Sequence, residues 1–341
     1  MVMTERQATL ALCACLSFFL CCAGCKKGSR SSNIKCGDNC FSYQYWDLLP
    51  DQPPQSVIRV AIGGDSRNDK SHVMPWAFDQ AKKRGAKAFF FLGDLEITSE
   101  IDKHAVAELK DLGDVPFYPA VGNHEIETFG ILRLPKEESQ RKVSKFKDEF
   151  LSGSAINLAP FRDTAVYSVD VEERIHFIVL DNVSRKGEGF GAAQLAWLAK
   201  DLETASDGKK IILVGMHKGL ANNPVTSHAM DEDGPQAKQD SDAALALFKN
   251  YKVAMVFVSH SHMYAAYPQD KDGLQVRLTG GMGAPLVKGL AEADGGFHHF
   301  LLVDVSSGDG NAPVRVQVVK FQCTPPCTPS RSETDESKEI D

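Results

Sequence analysis

Short apolar runs recur along this chain, and amphipathic segments separate them. The runs have the length and composition of buried strands and cover residues 56–63, 86–92, 117–121, 174–180, 210–215 and 253–258. The intervening segments carry apolar residues at three- and four-residue spacing, which is typical of helices. These helices would cover residues 75–84, 101–112, 135–151, 191–202 and 241–250. Because strands that alternate with helices form parallel layers, the pattern predicts an α/β fold.

The pattern changes after residue 264, where hairpin-like runs are separated by turn signals at 272–273 and 308–311. The C-terminal third is therefore predicted to be antiparallel. The chain has 341 residues, of which 43% are hydrophobic, and this is enough for one large domain, which we place at residues 56–322. Residues 323–341 would hold a CxxxC pair followed by a disordered acidic tail.

The N-terminus reads as an export signal over residues 1–24. An apolar stretch of 17 residues, too short for a typical spanning helix, ends in Leu20-Cys21-Cys22-Ala23-Gly24-Cys25. This ending resembles a bacterial lipoprotein signal with Cys25 as the lipidated residue, although Cys22 stands where such signals usually have Leu. We expect an exported lipoprotein that is held at a bacterial membrane by a lipid anchor and faces the periplasm or the exterior. An uncleaved N-terminal anchor is the alternative.

Four cysteines lie beyond this signal, and they form two CxxxC pairs at opposite ends of the body. They are Cys36, Cys40, Cys323 and Cys327. The first pair lies in residues 25–55, which we interpret as a tether and N-terminal extension. An even set of thiols in an exported protein favours disulfides, and a zinc site made of four thiolates is the competing interpretation.

The charge balance argues against a nucleic-acid partner. Lys and Arg number 38 and Asp and Glu number 45, which gives a net charge of -7. Because nucleic-acid binding depends on a basic surface, we expect no such partner. Binding of any phosphate group would need local cations, either metal ions or a few arginines.

Polar side chains follow the predicted strands at the points where these end. They are Asp65 and Arg67, then Asp94, then Asn123, His124 and Glu125, then His217, and finally His260 and His262. Because the carboxyl ends of strands in an open α/β sheet converge on one edge, these residues can meet. Carboxylate, amide and imidazole donors together suit Mn, Fe, Zn or Co. The set is too rich for one ion, so we predict two divalent metal ions that share a carboxylate.

The same motifs, in the same order, resemble the calcineurin-like metallophosphoesterases, a family similar to the purple acid phosphatases. The motifs are Asp65-x-Arg67, Gly93-Asp94, Gly122-Asn123-His124-Glu125, His217 and His260-x-His262, and the resemblance covers residues 57–320. It implies a four-layer αββα sandwich in which two mixed β-sheets are flanked by helices. It also implies that a metal-activated hydroxide hydrolyses phosphomonoesters or phosphodiesters.

The resemblance assigns a role to each residue. Asp94 would bridge the two metals, Asp65 and His262 would bind the first, and Asn123, His217 and His260 would bind the second. Asn123 and His124 would also contact the substrate phosphate. His124 would protonate the leaving group, and Glu125 would orient its ring.

Arg67 departs from the family pattern, which usually has His at this position. A guanidinium has no lone pair for a cation, so the first metal position is expected to be weak, water-filled or empty. In purple acid phosphatases a tyrosine three residues after the second aspartate supplies a ligand instead, but this chain has Ile97 at that position. Asp69 or His72 could fold back to replace the missing ligand. Arg67 itself would bind substrate phosphate or pair with a carboxylate such as Asp65.

A second departure is Ser259, which replaces the usual Gly before His260-x-His262 and is small enough to be tolerated. Two other functions remain open. The chain could be a catalytically weakened, membrane-tethered binding module that retains the fold, with Arg67 marking the loss of activity. A nuclease would be chemically compatible, but the sequence contains no stripe of basic and aromatic residues for a nucleic-acid strand.

Overall fold

The structure, a computed structural model, describes residues 50–67, 69, 72–95, 108–126, 135–185, 187–221, 228–268, 274–306 and 314–321, and the backbone of a hairpin. The hairpin joins β1 (Ser31–Cys36) to β2 (Asn39–Gln44) in antiparallel register. The export signal over 1–24, the lipid site at Cys25, the second CxxxC pair and the acidic tail lie outside the described residues. They stay predictions, as do the disulfides.

One of the two main sheets has five strands in the order β14-β13-β3-β4-β5. Its strands are β3 (Val57–Gly63), β4 (Phe89–Phe91), β5 (Phe117–Pro119), β13 (His299–Ser306) and β14 (Val314–Lys320). The first three pair in parallel, as predicted, because helical or loop crossovers connect them. β13 runs antiparallel to both β3 and β14.

The other main sheet has seven strands in the order β11-β12-β10-β9-β8-β7-β6. Its strands are β6 (Ile156–Leu158), β7 (Tyr167–Val171), β8 (Ile175–Val179), β9 (Ile211–Gly215), β10 (Met255–Val258), β11 (Tyr264–Pro268) and β12 (Gln275–Thr279). β8, β9, β10 and β12 are parallel, and both edges are antiparallel. The C-terminal region is therefore antiparallel in its hairpins, but β12 joins the parallel part of the sheet.

Five α-helices are described: α1 (Val73–Lys83), α2 (Asn123–Ile126), α3 (Lys136–Phe150), α4 (Gly191–Asp207) and α5 (Pro235–Asn250). Short 3-10 turns cover Leu109–Leu112, Met230–Glu232 and Glu292–Asp294. α5 begins six residues before the predicted start at 241, because Pro235 occupies its first turn, where a missing N–H costs nothing. None of the described helices combines the length and apolarity needed to cross a bilayer.

The sheets pack face to face and the helices cover their outer sides. Phe90 of β4 stacks on Phe177 of β8 with ring centroids 3.6 Å apart. Residues on the other face of β4 pack against α1, as the edge contact between Phe89 and Phe78 shows, at 5.0 Å. Buried residues of α4 and α5, such as Leu198 and Phe248, join the core of the seven-stranded sheet. The predicted α/β class and αββα layering are confirmed.

A buried ion pair lies in the five-stranded sheet. Arg59 of β3 faces Asp304 of β13, and the guanidinium donates to both carboxylate oxygens at 2.7 and 3.0 Å. It also donates to the backbone carbonyls of Pro50 and Arg84. Both side chains are almost fully buried. Because the pair excludes water, neither charge can be solvated if its partner is removed.

Replacing Asp304 with Asn is therefore expected to lower the free energy of unfolding by about 3–5 kcal/mol, the usual cost of leaving one buried charge unpaired. Urea denaturation measures the change. The matched control is Asp79→Asn, which breaks a partly exposed pair with Lys83 on α1 and should cost less than about 1 kcal/mol. Equal losses in the two variants would contradict this view of the buried pair.

A second ionic cluster surrounds His176 of β8. Its Nδ1 lies 2.8 Å from Asp170 Oδ1 and its Nε2 lies 2.9 Å from Asp201 Oδ2. Both ring nitrogens can donate only in the protonated imidazolium. Burial alone would lower the pKa of His176, but the hydrogen bonds to Asp201 and Asp170, and their charges, raise it above its ordinary value.

The His176 cluster predicts a pH dependence of stability. A raised histidine pKa means that the folded chain holds its proton more tightly than the unfolded chain. The stabilisation is complete below about pH 6.5, the ordinary histidine pKa, and is lost as pH rises through the raised value. Urea denaturation across this range should show stability falling with pH in the native chain and a smaller fall in His176→Gln. The exposed His72→Asn serves as control, and identical profiles for all three chains would refute the expectation.

Candidate metal centre

The topology gathers the predicted strand-end residues at one rim shared by the two sheets. Asp65, Asp94 and Asn123 follow the parallel strands β3, β4 and β5 of the five-stranded sheet. His217 and His260 follow the parallel strands β9 and β10 of the other sheet. Since the sheets pack face to face with these ends together, residues nearly two hundred positions apart come into contact.

Three of these residues form a group that we call the first position: Asp65, Asp94 and His262. One potential ligand atom from each lies within 4.8 Å of the other two. His262 Nε2 is 3.5 Å from Asp65 Oδ1. All three residues are buried. The first position thus contains two carboxylates and one imidazole.

A second group, the second position, contains Asp94 with His217 and His260, again with ligand atoms within 4.8 Å of one another. His217 Nε2 is 3.4 Å from Asp94 Oδ1, 3.0 Å from Asn123 Oδ1 and 3.0 Å from His260 Nδ1. Asp94 therefore belongs to both groups, which is the arrangement a bridging ligand requires. The side chains that the sequence predicts as metal ligands all lie together in the structure.

Backbone carbonyls orient two of the imidazoles. His217 Nδ1 lies 2.7 Å from the carbonyl oxygen of Leu92, and His262 Nδ1 lies 2.6 Å from that of Pro285. A carbonyl only accepts, so the neutral form of each ring carries its proton on Nδ1 and has its lone pair on Nε2. This tautomer is the one that binds a cation through Nε2.

A further observation indicates that these ligand atoms fit a divalent cation. Asp65 Oδ1, Asp94 Oδ2 and His262 Nε2 are buried and have no hydrogen-bond partner among the described residues. An unpaired buried polar atom is costly, and such atoms rarely occur in groups unless something absent from the protein chain satisfies them. All three belong to the first position, so oxygen and nitrogen lone pairs converge there.

The protonation states also suit cation binding. Burial alone would raise the pKa of Asp94, but the charges of His217, His124 and Arg67 hold it below its ordinary value. Burial would also raise the pKa of Asp65, but its contact with the His262 ring and the charge of His217 lower it. Burial and the charge of His217 place the pKa of His260 well below its usual range. Ionised carboxylates and a neutral imidazole are the forms that ligate metals.

The loops that carry the ligands are backbone-strained. Asp65, Asp94 and His260 have positive φ angles of 58°, 56° and 70°, a region that non-glycine residues rarely adopt. Such strain concentrates at functional sites, where the surrounding structure enforces it. Gly93 shows how tightly the loops pack, since a Cβ there would lie 2.7 Å from both Gly122 Cα and His217 Nδ1. The glycine of the Gly93-Asp94 motif is thus required by close approach.

His124 lies beside the shared carboxylate. Its backbone N–H donates to Asp94 Oδ1 at 3.0 Å, and its Nε2 is 3.8 Å from Asp94 Oδ2. The Glu125 carboxylate accepts backbone N–H groups from Asp94, Leu95 and Gly122 at 2.6 to 3.0 Å. Burial and the charge of Asp94 raise the pKa of Glu125 to about 8. These bonds join the loops after β4 and β5, and the expected orienting of the His124 ring by Glu125 stays a prediction.

Arg67 reaches the edge of the first position. Its Nε is 4.0 Å from Asp94 Oδ2, and its side chain is 16% exposed. The Asp69 carboxylate accepts the backbone N–H groups of Val73 and Met74 at 2.9 and 2.7 Å, so it caps α1. Asp69 therefore does not replace the missing ligand, and neither does the exposed His72, since neither belongs to a group of ligand atoms within the described part of the chain. The cap also explains why α1 begins before the predicted Pro75.

Two residues near the centre had no assigned role from the sequence. Ser259 is buried, and its hydroxyl contacts Asp65 Oδ2, which also accepts the backbone N–H of His260 at 2.8 Å. The only feature of the sequence that points to Ser259 is its place directly before His260-x-His262. His228 lies with its ring centroid 6.0 Å from that of His260. No spacing in the sequence indicates that contact, because His228 belongs to a long polar segment.

Comparison with known proteins agrees with this geometry. The family model of the calcineurin-like phosphoesterases matches residues 58–264. No curated protein sequence matches the chain. Solved structures with similar folds include the purple acid phosphatase PPD1 from yellow lupin (Lupinus luteus) seeds, with 17% identity and a TM-score of 0.55, covering 82% of this chain and 56% of that one. The chain thus spans about half the length of the lupin enzyme.

A second similar structure is GAP50, described as the anchor in the inner membrane complex of Plasmodium. It has 15% identity and a TM-score of 0.51, and the match covers 80% of this chain and 91% of that one. A third, the structure of PhoD, has 12% identity and a TM-score of 0.55, with 84% and 75% covered. At these identities the similarity concerns the fold.

Proposed function

The chain belongs to the calcineurin-like phosphoesterase family, and from this membership and the site geometry we propose that it is a metal-dependent hydrolase of phosphate esters. The observation that carries the proposal is the convergence of unpaired buried donor atoms from Asp65, Asp94 and His262. When bound, two divalent cations (Mn, Fe, Zn or Co) would activate water and neutralise phosphate charge. The substrates would be phosphomonoesters or phosphodiesters.

The proposal assigns each ligand to a position. Asp65, Asp94 and His262 would hold a cation at the first position. Asp94, His217 and His260 would hold one at the second, together with the Asn123 amide oxygen, which lies 3.0 Å from His217 Nε2. Asn123 would also orient the substrate, since its amide N–H groups can donate to a phosphoryl oxygen.

His124 would supply the proton for the leaving group. Asp94 holds its backbone in place, and its ring lies at the edge of the shared carboxylate. A positioned imidazole within reach of a departing oxygen is a suitable general acid near neutral pH. The departing alkoxide or phenoxide would take the proton from Nε2 and leave as a neutral alcohol.

Arg67 would bind the phosphoryl group. Its guanidinium stays protonated, its fork of N–H donors matches phosphate oxygens, and its side chain is partly exposed beside the first position. The Arg67 guanidinium can therefore contact a substrate that also reaches the shared carboxylate of Asp94.

The proposal is tested on the full chain after treatment with a chelator. Metal content per chain is measured by inductively coupled plasma mass spectrometry. Hydrolysis of p-nitrophenyl phosphate and of bis(p-nitrophenyl) phosphate is followed before and after addition of Mn²⁺. We expect the stripped chain to be inactive and Mn²⁺ to restore turnover of at least one substrate. A chain that binds no metal and hydrolyses neither ester would overturn the proposal and favour the tethered binding module.

The cellular location is part of the same proposal. We expect export through residues 1–24 and a lipid on Cys25, which would place the phosphoesterase domain at a membrane surface. The substrate would then be a phosphoester that reaches the periplasm or the exterior.

A further inference from the structure

We infer that Arg67 makes the two cation positions unequal, so that the second position fills first and the first position holds a cation only weakly. Arg67 would then supply, at the first position, the positive charge that a cation would otherwise bring to the phosphate. This inference rests on the proposed function, since it concerns the order in which the same centre is loaded.

The strongest support is the distance between the guanidinium and the shared carboxylate. Arg67 Nε lies 4.0 Å from Asp94 Oδ2. Both atoms are buried and have no hydrogen-bond partner within the described part of the chain. A cation at the first position would bind Asp94 and would therefore lie close to a permanent positive charge. At such a separation, in a poorly solvated site, like charges repel strongly enough to lower binding tenfold or more.

The number of protein ligand atoms also favours the second position over the first. At the first position, Asp65 has only Oδ1 to offer, because Oδ2 receives the Ser259 hydroxyl and the His260 N–H. With one oxygen of Asp94 and one nitrogen of His262, three protein atoms are available. Because these three atoms have no hydrogen-bond partner among the described residues, a cation still binds at the first position, but it does so against the Arg67 charge and with fewer ligand atoms. At the second position Asp94, His217 and His260 are joined by the Asn123 oxygen, which makes four.

The positive charge at Arg67 also suits the substrate. A phosphate dianion bound to a single cation keeps a negative charge that needs a second partner. The Arg67 side chain is partly exposed, and its donors match a phosphoryl oxygen pair. One tightly held cation and one arginine would thus share the task that two cations perform.

Calorimetric titration of Mn²⁺ into the stripped full chain tests the order of loading. We expect one Mn²⁺ per chain in a tight step and a second that binds at least about tenfold more weakly. Elemental analysis after dialysis against metal-free buffer should find about one Mn²⁺ retained per chain. Two equal sites would overturn the inference.

Two variants separate charge from shape. Arg67→Gln removes the charge and should tighten the weak step by about tenfold or more, while Arg67→Lys keeps the charge and should leave the two steps far apart. Arg162→Gln removes an exposed arginine charge and should leave the titration unchanged. A weak step that is the same in the Gln and Lys variants would contradict the role of the Arg67 charge.

Phosphate binding gives a second readout. With one equivalent of Mn²⁺ present, inorganic phosphate should bind about tenfold or more weakly to Arg67→Gln than to the native chain. Unchanged phosphate affinity would count against Arg67 as the second positive partner.

These results are independent of turnover. A chain that hydrolyses esters with two equal sites would refute only the inference. A chain with unequal sites and no hydrolysis would refute only the proposed function.

Discussion

Replacing Asp94 with Asn is expected to remove nearly all phosphoesterase activity. Asp94 is the residue common to both ligand groups, and an amide cannot supply negative charge to two cations. Cations contribute several kcal/mol to catalysis of this kind, so turnover should fall about 10³-fold or more. The rate is measured with p-nitrophenyl phosphate at saturating Mn²⁺, together with the number of Mn²⁺ ions retained per chain, which should fall below that of the native chain.

The Asn variant is chosen because it leaves the local structure in place. Asp94 has a φ of 56°, a conformation that Asn tolerates better than most residues. Its amide oxygen can still accept the His124 N–H, which Asp94 Oδ1 accepts in the native chain. Asp79→Asn, at a partly exposed carboxylate on α1, controls for charge alone and should keep full activity. An Asp94→Asn chain that binds two cations and works within tenfold of the native rate would exclude Asp94 as the shared ligand.

The position of the centre follows from a simple rule about parallel strands. Asp65, Asp94, Asn123, His217 and His260 each come directly after an apolar run, and parallel strands present such ends at one edge. This rule needs only the pattern of apolar and polar residues. It therefore predicts which residues meet, although the nearest of them in the sequence are about thirty positions apart.

The connections around the ligands could not be predicted in this way. The contact of Ser259 with Asp65 spans 194 residues and depends on the rotamer of each side chain. The three N–H groups that meet the Glu125 carboxylate come from loop backbone, which carries no residue-specific signal. The left-handed φ angles at Asp65 and Asp94 could not be predicted either, since their sequence motifs are compatible with ordinary turns.

The fold shows a similar division. Runs such as 174–180 and 210–215 were predicted because they are continuous apolar stretches, and they correspond to β8, which is buried throughout, and β9, which is buried except at Ile211. β6 and β7 were missed. β6 has three residues with little burial, and β7 includes the exposed Asp170, so neither has a long apolar run. Their pairing with β8 stabilises them, and pairing partners are not visible in a local pattern.

Replacing His124 with Ala should lower turnover about 10²- to 10⁴-fold for phosphate esters with poor leaving groups, the range typical of a lost general acid. Turnover of p-nitrophenyl esters should fall much less, because the p-nitrophenolate anion leaves without protonation. Metal content should stay unchanged, because no group of metal-ligand atoms includes the His124 ring among the described residues. Turnover of an alkyl phosphate and of p-nitrophenyl phosphate is compared in the native chain and in the variant.

The comparison of leaving groups distinguishes proton donation from a structural role. The His124 backbone N–H, which Asp94 accepts, remains in the Ala variant, so the loop after β5 keeps its link to the shared carboxylate. A loop that moved would lower turnover of both esters alike and would release metal, whereas a missing proton affects only the ester that needs one. His72→Asn, at an exposed histidine, should leave both rates unchanged. Equal losses for the two esters would therefore exclude His124 as the proton donor, even if the losses were large.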